Sequence, residues 1–173
     1  NAQDFGELID QGYMGDTACS SPTRGVIAGG NPTTNVIQYV TIASTGVAKD
    51  FGDLIAASIA PGAASSSTRG IFCGSCPGAP AYTSLNHIDY LTIATTGNTQ
   101  DFGDSLYAGS YKNGTSNSVR AVWTGTYTSP TPSLNSIEYV QIQTLGNTVD
   151  FGDSTMTYGN RAGATSDTHG GLA

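Results

Sequence analysis

The chain has 173 residues, of which 11% are charged, against roughly 25% in an ordinary soluble domain. Its net charge of −7 and its six scattered Lys and Arg residues exclude a nucleic-acid-binding face, which needs clustered cations to neutralise phosphates. No apolar run approaches the roughly 18 residues of a membrane span, and the 23 glycines among many Ser, Thr and Asn suit an extracellular or virion-surface β-protein, in which Thr fits the pleat and Gly makes the turns.

Residues 1–7 read Asn-Ala-Gln-Asp-Phe-Gly-Glu, and the block returns at 47–53, 98–104 and 147–153. Its aspartates, Asp4, Asp50, Asp101 and Asp150, are spaced by 46, 51 and 49 residues. A seven-residue block with a period near 50 is the mark of a propeller or a solenoid. The units run about 1–46, 47–97 and 98–146, with a partial one at 147–173, in a single repeat domain. The chain opens on a repeat block without an initiator Met or a leader, so a processed product or a piece of a longer polypeptide is expected.

After each block comes a variable segment rich in Ala, Gly and Ser, in which a strand is expected. Residues 54–60 carry a weaker helical pattern that Pro61 would end. Next come Ser21-Pro-Thr-Arg24-Gly-Val-Ile-Ala-Gly29-Gly30, Ser67-Thr-Arg69-Gly-Ile-Phe-Cys-Gly74 and Ser118-Val-Arg120-Ala-Val-Trp123-Thr-Gly125. Each is an Arg, an apolar run and a Gly, which predicts a short buried strand closed by a turn. The clearest strand follows: Ile37-Gln-Tyr39-Val-Thr-Ile42, Ile88-Asp-Tyr90-Leu-Thr-Ile93 and Ile137-Glu-Tyr139-Val-Gln-Ile142. Alternation puts Ile37 and Tyr39 on one face and Val40 and Ile42 on the other, so the strand is sandwiched between two layers. A Thr/Ser-x-Gly turn then leads back into the Asp-Phe-Gly block. Phe5, Phe51, Phe102 and Phe151 are expected to be buried at equivalent positions, with the Ile-x-Tyr pairs in the core.

The order Arg…Gly-Gly, x-Ile-x-Tyr, Gly-Asn and aromatic resembles the kelch repeat, with Gly29-Gly30, Tyr39 and Phe51 in the roles of its Gly doublet, Tyr and Trp. Phe stands in place of Trp throughout, and the second and third units keep one Gly of the doublet. The longer phrase Ile-x-Tyr-x-x-Ile-x-Thr-x-Gly-Asn-x-x-Asp-Phe-Gly-Asp, followed by Ser-x-Thr-Arg-Gly, resembles the repeats of kelch-like structural proteins of aquatic bacteriophages, cyanophages especially. The resemblance implies an all-β fold of kelch-like β-propeller blades, incomplete or open. It further implies a non-enzymatic tail-fibre or capsid-associated component at a virion surface or outside a cell. A subunit of a microbial extracellular filament or adhesin, and a carbohydrate-active enzyme on a propeller, are the competing classes.

The paired carboxylates Asp50/Asp53, Asp101/Asp104 and Asp150/Asp153 suggest glycoside hydrolysis or Ca²⁺ binding. A catalytic pair is unique, whereas this pair recurs, which favours a structural turn with the first Asp bonded to its own backbone. No cofactor is expected. Arg24, Arg69 and Arg120 recur before a buried strand; they either line a channel for an acidic glycan or tie unit to unit through carbonyls or carboxylates. Tyr82, Tyr107, Tyr111, Trp123 and Tyr127 lie in or near variable loops and are candidates for stacking on cell-surface glycans as well as for packing. Asn113-Gly-Thr115 is the one N-glycosylation sequon. His87 and His169 share no metal pattern. Cys19, Cys73 and Cys76 lack the second ligand pair of a zinc site, which leaves a structural disulfide or buried thiols. Other copies of the chain, or other virion or filament subunits, are the expected partners.

Overall fold

The computed structural model describes residues 1–10, 17–78, 83–128 and 133–157. Twelve strands and no helix form among them, arranged as three four-stranded antiparallel sheets. The first sheet is β1 (Thr17–Ser20), β2 (Arg24–Ala28), β3 (Thr34–Thr41) and β4 (Lys49–Ser58). The second is β5 (Gly62–Ser65), β6 (Arg69–Ser75), β7 (Leu85–Thr92) and β8 (Gln100–Asp104). The third is β9 (Asn113–Ser116), β10 (Arg120–Thr126), β11 (Leu134–Gln141) and β12 (Val149–Asp153). Each is a simple meander in chain order. The variable segment supplies the first strand, the Arg signature the second, the Ile-x-Tyr run the third and the Asp-Phe-Gly block the fourth. Residues 54–58 continue β4 as strand; with Ala56 and Ala57 spaced among apolar residues, the local pattern yields to pairing in the sheet. A sheet therefore straddles two sequence units, because it closes on the block that opens the next one.

Local chemistry makes the connections. In the β1–β2 turn the Ser21 hydroxyl accepts the Thr23 and Arg24 N–H groups. Ser66 does the same for Thr68 and Arg69, and the Asn117 amide oxygen for Val119 and Arg120. These are side-chain-mediated turns that Ser and Asn favour. At the far end of the second strand, Gly29, Gly74 and Gly125 have φ of 72°, 69° and 71°, open to Gly without strain. The chain leaving the first sheet passes close by there: Gly30 N–H donates to Ser58 O at 3.0 Å.

The sheets stack face to face with a core in each gap. Val26, Ala28, Ile37 and Phe51 of the first sheet meet Phe72, Leu91 and Ile93 of the second. Ile71, Cys73, Ile88 and Phe102 of the second meet Ala121, Trp123, Val140 and Ile142 of the third. Alternation along β7 thus sends Ile88 forward and Leu91 back, so the middle sheet is buried on both faces as its sequence requires.

The expected burial of the repeated aromatics needs correction at both ends of the stack. Phe51 and Phe102 are 2% exposed, but Phe5 is 40% and Phe151 57% exposed. A block phenylalanine is covered by the sheet that follows its own, and no described sheet lies beyond Phe151. Phe5 lacks the Tyr strand that precedes the other three. Ile37 and Ile88 are fully buried, whereas Ile137, on the outward face of the third sheet, is half-buried. Tyr39, Tyr90 and Tyr139 are half-buried too.

Candidate functional site

Polar groups concentrate at the joint between one sheet and the next, and the Asp-Phe-Gly block is its centre. Register shows why this sequence is needed. Ile37 faces Gly52 and Gln38 faces Asp50, which leaves Phe51 as the extra residue of a β-bulge. Phe102 and Phe151 are extra in the same way. The block is thus a bulge inside a strand, where a turn was expected. The Asp101 and Asp150 carboxylates each accept the N–H of the Gly two residues on, at 3.1 Å, which holds the bulge, and Asp4 makes the same contact with Gly6 outside any strand.

The bulge glycines Gly52 and Gly103, at φ of 141° and 143°, let the next sheet come close. Gly97 N–H donates to Phe51 O at 2.6 Å, and Thr99 N–H to Asp53 O at 2.8 Å. The Asn98 amide oxygen accepts Asp53 N–H at 3.1 Å. Gly146, Thr148 and Asn147 repeat the pattern on Phe102 and Asp104. Gly46 and Ala48 repeat the two backbone bonds on Phe5 and Glu7. A Cβ on Gly52 would sit 2.5 Å from the Gly97 carbonyl carbon, closer than real contacts allow.

Each Arg lies flat on the Tyr of its own sheet. The guanidinium-to-ring distances are 4.5 Å for Arg24 on Tyr39, 4.6 Å for Arg69 on Tyr90 and 4.8 Å for Arg120 on Tyr139. Each Tyr in turn meets the bulge Phe edge-on at 5.9 Å. Arg24 donates to Ile93 O of the second sheet at 2.9 Å, and Arg69 to Ile142 O of the third at 2.8 Å. Arg24 and Arg69 therefore tie sheet to sheet through carbonyls, one of the two roles expected of them. No protein-family model matches the chain, and no curated protein matches it.

The residue between Ile and Tyr also belongs to the joint, and sequence reasoning passed over it. Gln38, Asp89 and Glu138 are 4%, 1% and 1% exposed. Each accepts the backbone N–H that lies five residues past the block aspartate opening its own sequence unit: Ile9, Ile55 and Leu106. The signal was present as a polar side chain on the same face as Val40, Leu91 and Val140. Each solves its burial differently. Gln38 is neutral and also donates to Asp10 O at 2.9 Å. Asp89 accepts from Thr99 Oγ1 at 3.0 Å and has the His87 ring 3.7 Å from its other oxygen. Burial pushes the Asp89 carboxyl above its ordinary value, while the Ile55 N–H, a charged His87 and the Thr99 hydroxyl pull it back. Glu138 has a full ion pair with Lys112, whose side chain is fully buried. Ser105 and the Tyr107 carbonyl complete the Lys112 shell, and Thr148 donates to Glu138 at 2.6 Å.

The glycan-stacking candidates separate. Trp123 is fully buried, with its indole N–H on Gly62 O at 3.1 Å, so it is core; the apolar gap between sheets claims the largest side chain available. Tyr107 is 41% exposed, Tyr111 and Tyr127 are half-buried and meet edge-on at 5.9 Å, and Tyr82 lies outside the described residues. Asn113 sits in β9 with its amide 3.5 Å from Thr124 O, and His169 lies outside the described residues. Cys19, Cys73 and Cys76 are free and buried, so the thiol reading holds over the disulfide. Burial raises Cys19 to about 12 and Cys73 to about 11, which keeps both protonated and unreactive. Among the described residues no group of three His, Cys, Asp or Glu side chains is placed to hold a metal ion.

Proposed function

We propose that the chain is a non-enzymatic structural component of an extracellular assembly, built from kelch-like propeller blades and carried on a virion surface as a tail-fibre or capsid-associated protein. The observation that carries this is where the recurring polar side chains go. Asp101 and Asp150 hold bulges, Arg24 and Arg69 hold carbonyls of the next sheet, and Gln38, Asp89 and Glu138 hold backbone N–H groups just past the Asp-Phe-Gly block across the joint. Chemistry that repeats with the fold is used in joining sheets.

Blade geometry has support at the other edge of the stack. Ser65 Oγ donates to Ser20 O at 3.0 Å, and Ser116 Oγ to Ser65 O at 2.7 Å, so the first strands of successive sheets approach closely, as inner strands of adjoining blades do. Tyr107, with the Tyr111–Tyr127 pair, is the surface left for cell-surface glycans.

Immunogold electron microscopy of the native source tests the reading. Label on capsids or tails is the expected result. Label on free fibres would replace the virion with a microbial filament, and label confined to soluble material would overturn the assembly role.

A further inference from the structure

We infer that residues 1–10 are an exchangeable cap, and that the edge of the third sheet in one copy docks in the slot they fill on the first sheet of another. The inference rests on the reading of the chain as an assembly component, and it names the partner as a second copy of this chain.

Among the described residues there are four Asp-Phe-Gly donors and three turns that receive them. The turn at 46–48 takes Phe5 and Glu7, that at 97–99 takes Phe51 and Asp53, and that at 146–148 takes Phe102 and Asp104. Among the described residues the Phe151–Gly152–Asp153 donor meets no receiving turn. Gly152 keeps the backbone of its counterparts, φ 134°, yet nothing lies within 4 Å of where its Cβ would be.

Blocks 1–7 and 147–153 share Asn, Asp, Phe and Gly at matching positions, so they present the same bonding groups to the first turn. They differ in what comes with them. The cap brings ten residues and leaves Phe5 40% and Ile42 48% exposed. The third sheet brings Val122, Ile137 and Tyr139 on the face that carries Phe151, equivalent to the Val26, Ile37 and Tyr39 face that covers Leu91 and Ile93. On the outward side of the first sheet, Val40 and Ile42 stand where Leu91 and Ile93 do. The chain contains this joint twice, and its two outer faces are the two halves of a third. Such a heterologous contact builds a ring where the rotation per copy closes and an open head-to-tail array where it does not.

The test uses the full chain with Val47→Cys and Asp153→Cys, the positions equivalent to Asn98 with Asp53 and to Asn147 with Asp104, which touch at 3.1 and 3.0 Å. In one chain the two positions lie on opposite outer sheets, and the native thiols are buried. Mild oxidation should give a cross-linked dimer, or a ladder of higher multiples of 17.7 kDa where the array stays open, on a non-reducing gel. Phe151→Ser, at an exposed position, should abolish it, and excess synthetic peptide of residues 1–10 should shorten it. Deleting residues 1–10 should lengthen the ladder and shift the light-scattering mass from one chain to multiples. Monomer alone on oxidation of the full chain would overturn the inference, as would a ladder indifferent to Phe151→Ser and to peptide. Virion labelling without a ladder would keep the structural role and remove this partner; a ladder without labelling would do the reverse.

Discussion

Two glycines with the same backbone separate conformational strain from crowding. Gly103 and Gly152 have φ of 143° and 134°, but a Cβ on Gly103 would lie 2.6 Å from the Gly146 carbonyl, whereas one on Gly152 meets open space. Both Ala variants carry the strain, on the order of 1–3 kcal/mol. Gly103→Ala should cost about 2 kcal/mol more by forcing the sheets apart, measured by urea denaturation. Equal losses would show that the approach of the second sheet to the third is not tight. Asp89 gives a test in pH. Its folded pKa is raised, so the folded state binds the proton more tightly than the unfolded one. That contribution is present at acid pH and lost as pH rises from the ordinary aspartate value of 3.8 through the folded value. Asp89→Asn keeps an acceptor for Ile55 and should melt higher relative to wild type at pH 7 than at pH 4. The opposite trend would mean that His87 dominates the carboxylate.

At the scale of the strand, most of the meander was legible in the sequence because alternation and turn residues act locally. The Arg positions were legible because they repeat. Gln38, Asp89 and Glu138 were not: one polar residue in an apolar strand reads as an outward position, and its true partner is a backbone N–H some 30 residues away. Lys112 was hidden for the same reason, since only the third strand arrangement brings it to Glu138. Removing one member of that pair strands the other. Lys112→Met should destabilise by about 3–5 kcal/mol, and Lys112→Met with Glu138→Gln should recover most of it; a double variant no better than the single would show that the charge of Glu138 is not the problem. Arg69 works through shape as well as charge. Arg69→Lys loses the flat stack on Tyr90 and should cost about 1–2 kcal/mol despite keeping the cation. An unchanged denaturation midpoint would reduce Arg69 to a surface charge.

Across the molecule, the two inter-sheet cores are built from one pattern but are not equal. The first gap is filled by Phe51, Phe72 and Leu91, beside Asp89, which accepts the Ile55 N–H and the Thr99 hydroxyl. The second is filled by Trp123 and Phe102, beside the Lys112–Glu138 pair. The exposed Phe5 and Phe151 follow from position in the stack, which no local pattern states: a block phenylalanine is as buried as the neighbour it is given. The chain therefore carries one repeated joint in two chemical versions, and these respond differently to the same solvent change. Acid acts on the first through Asp89, whose carboxyl burial holds above its ordinary value, whereas the second carries the buried Lys112–Glu138 ion pair.

Trp123 is the chain's single tryptophan, and its ring spans the second gap with its N–H on Gly62 O. Its emission is therefore a built-in gauge of one seam, blind to the other. Should the third sheet peel away before the rest melts, the emission maximum will move to the red at a lower urea concentration than the far-ultraviolet circular dichroism falls. Coincident curves will instead mean that the whole stack comes apart as one cooperative body.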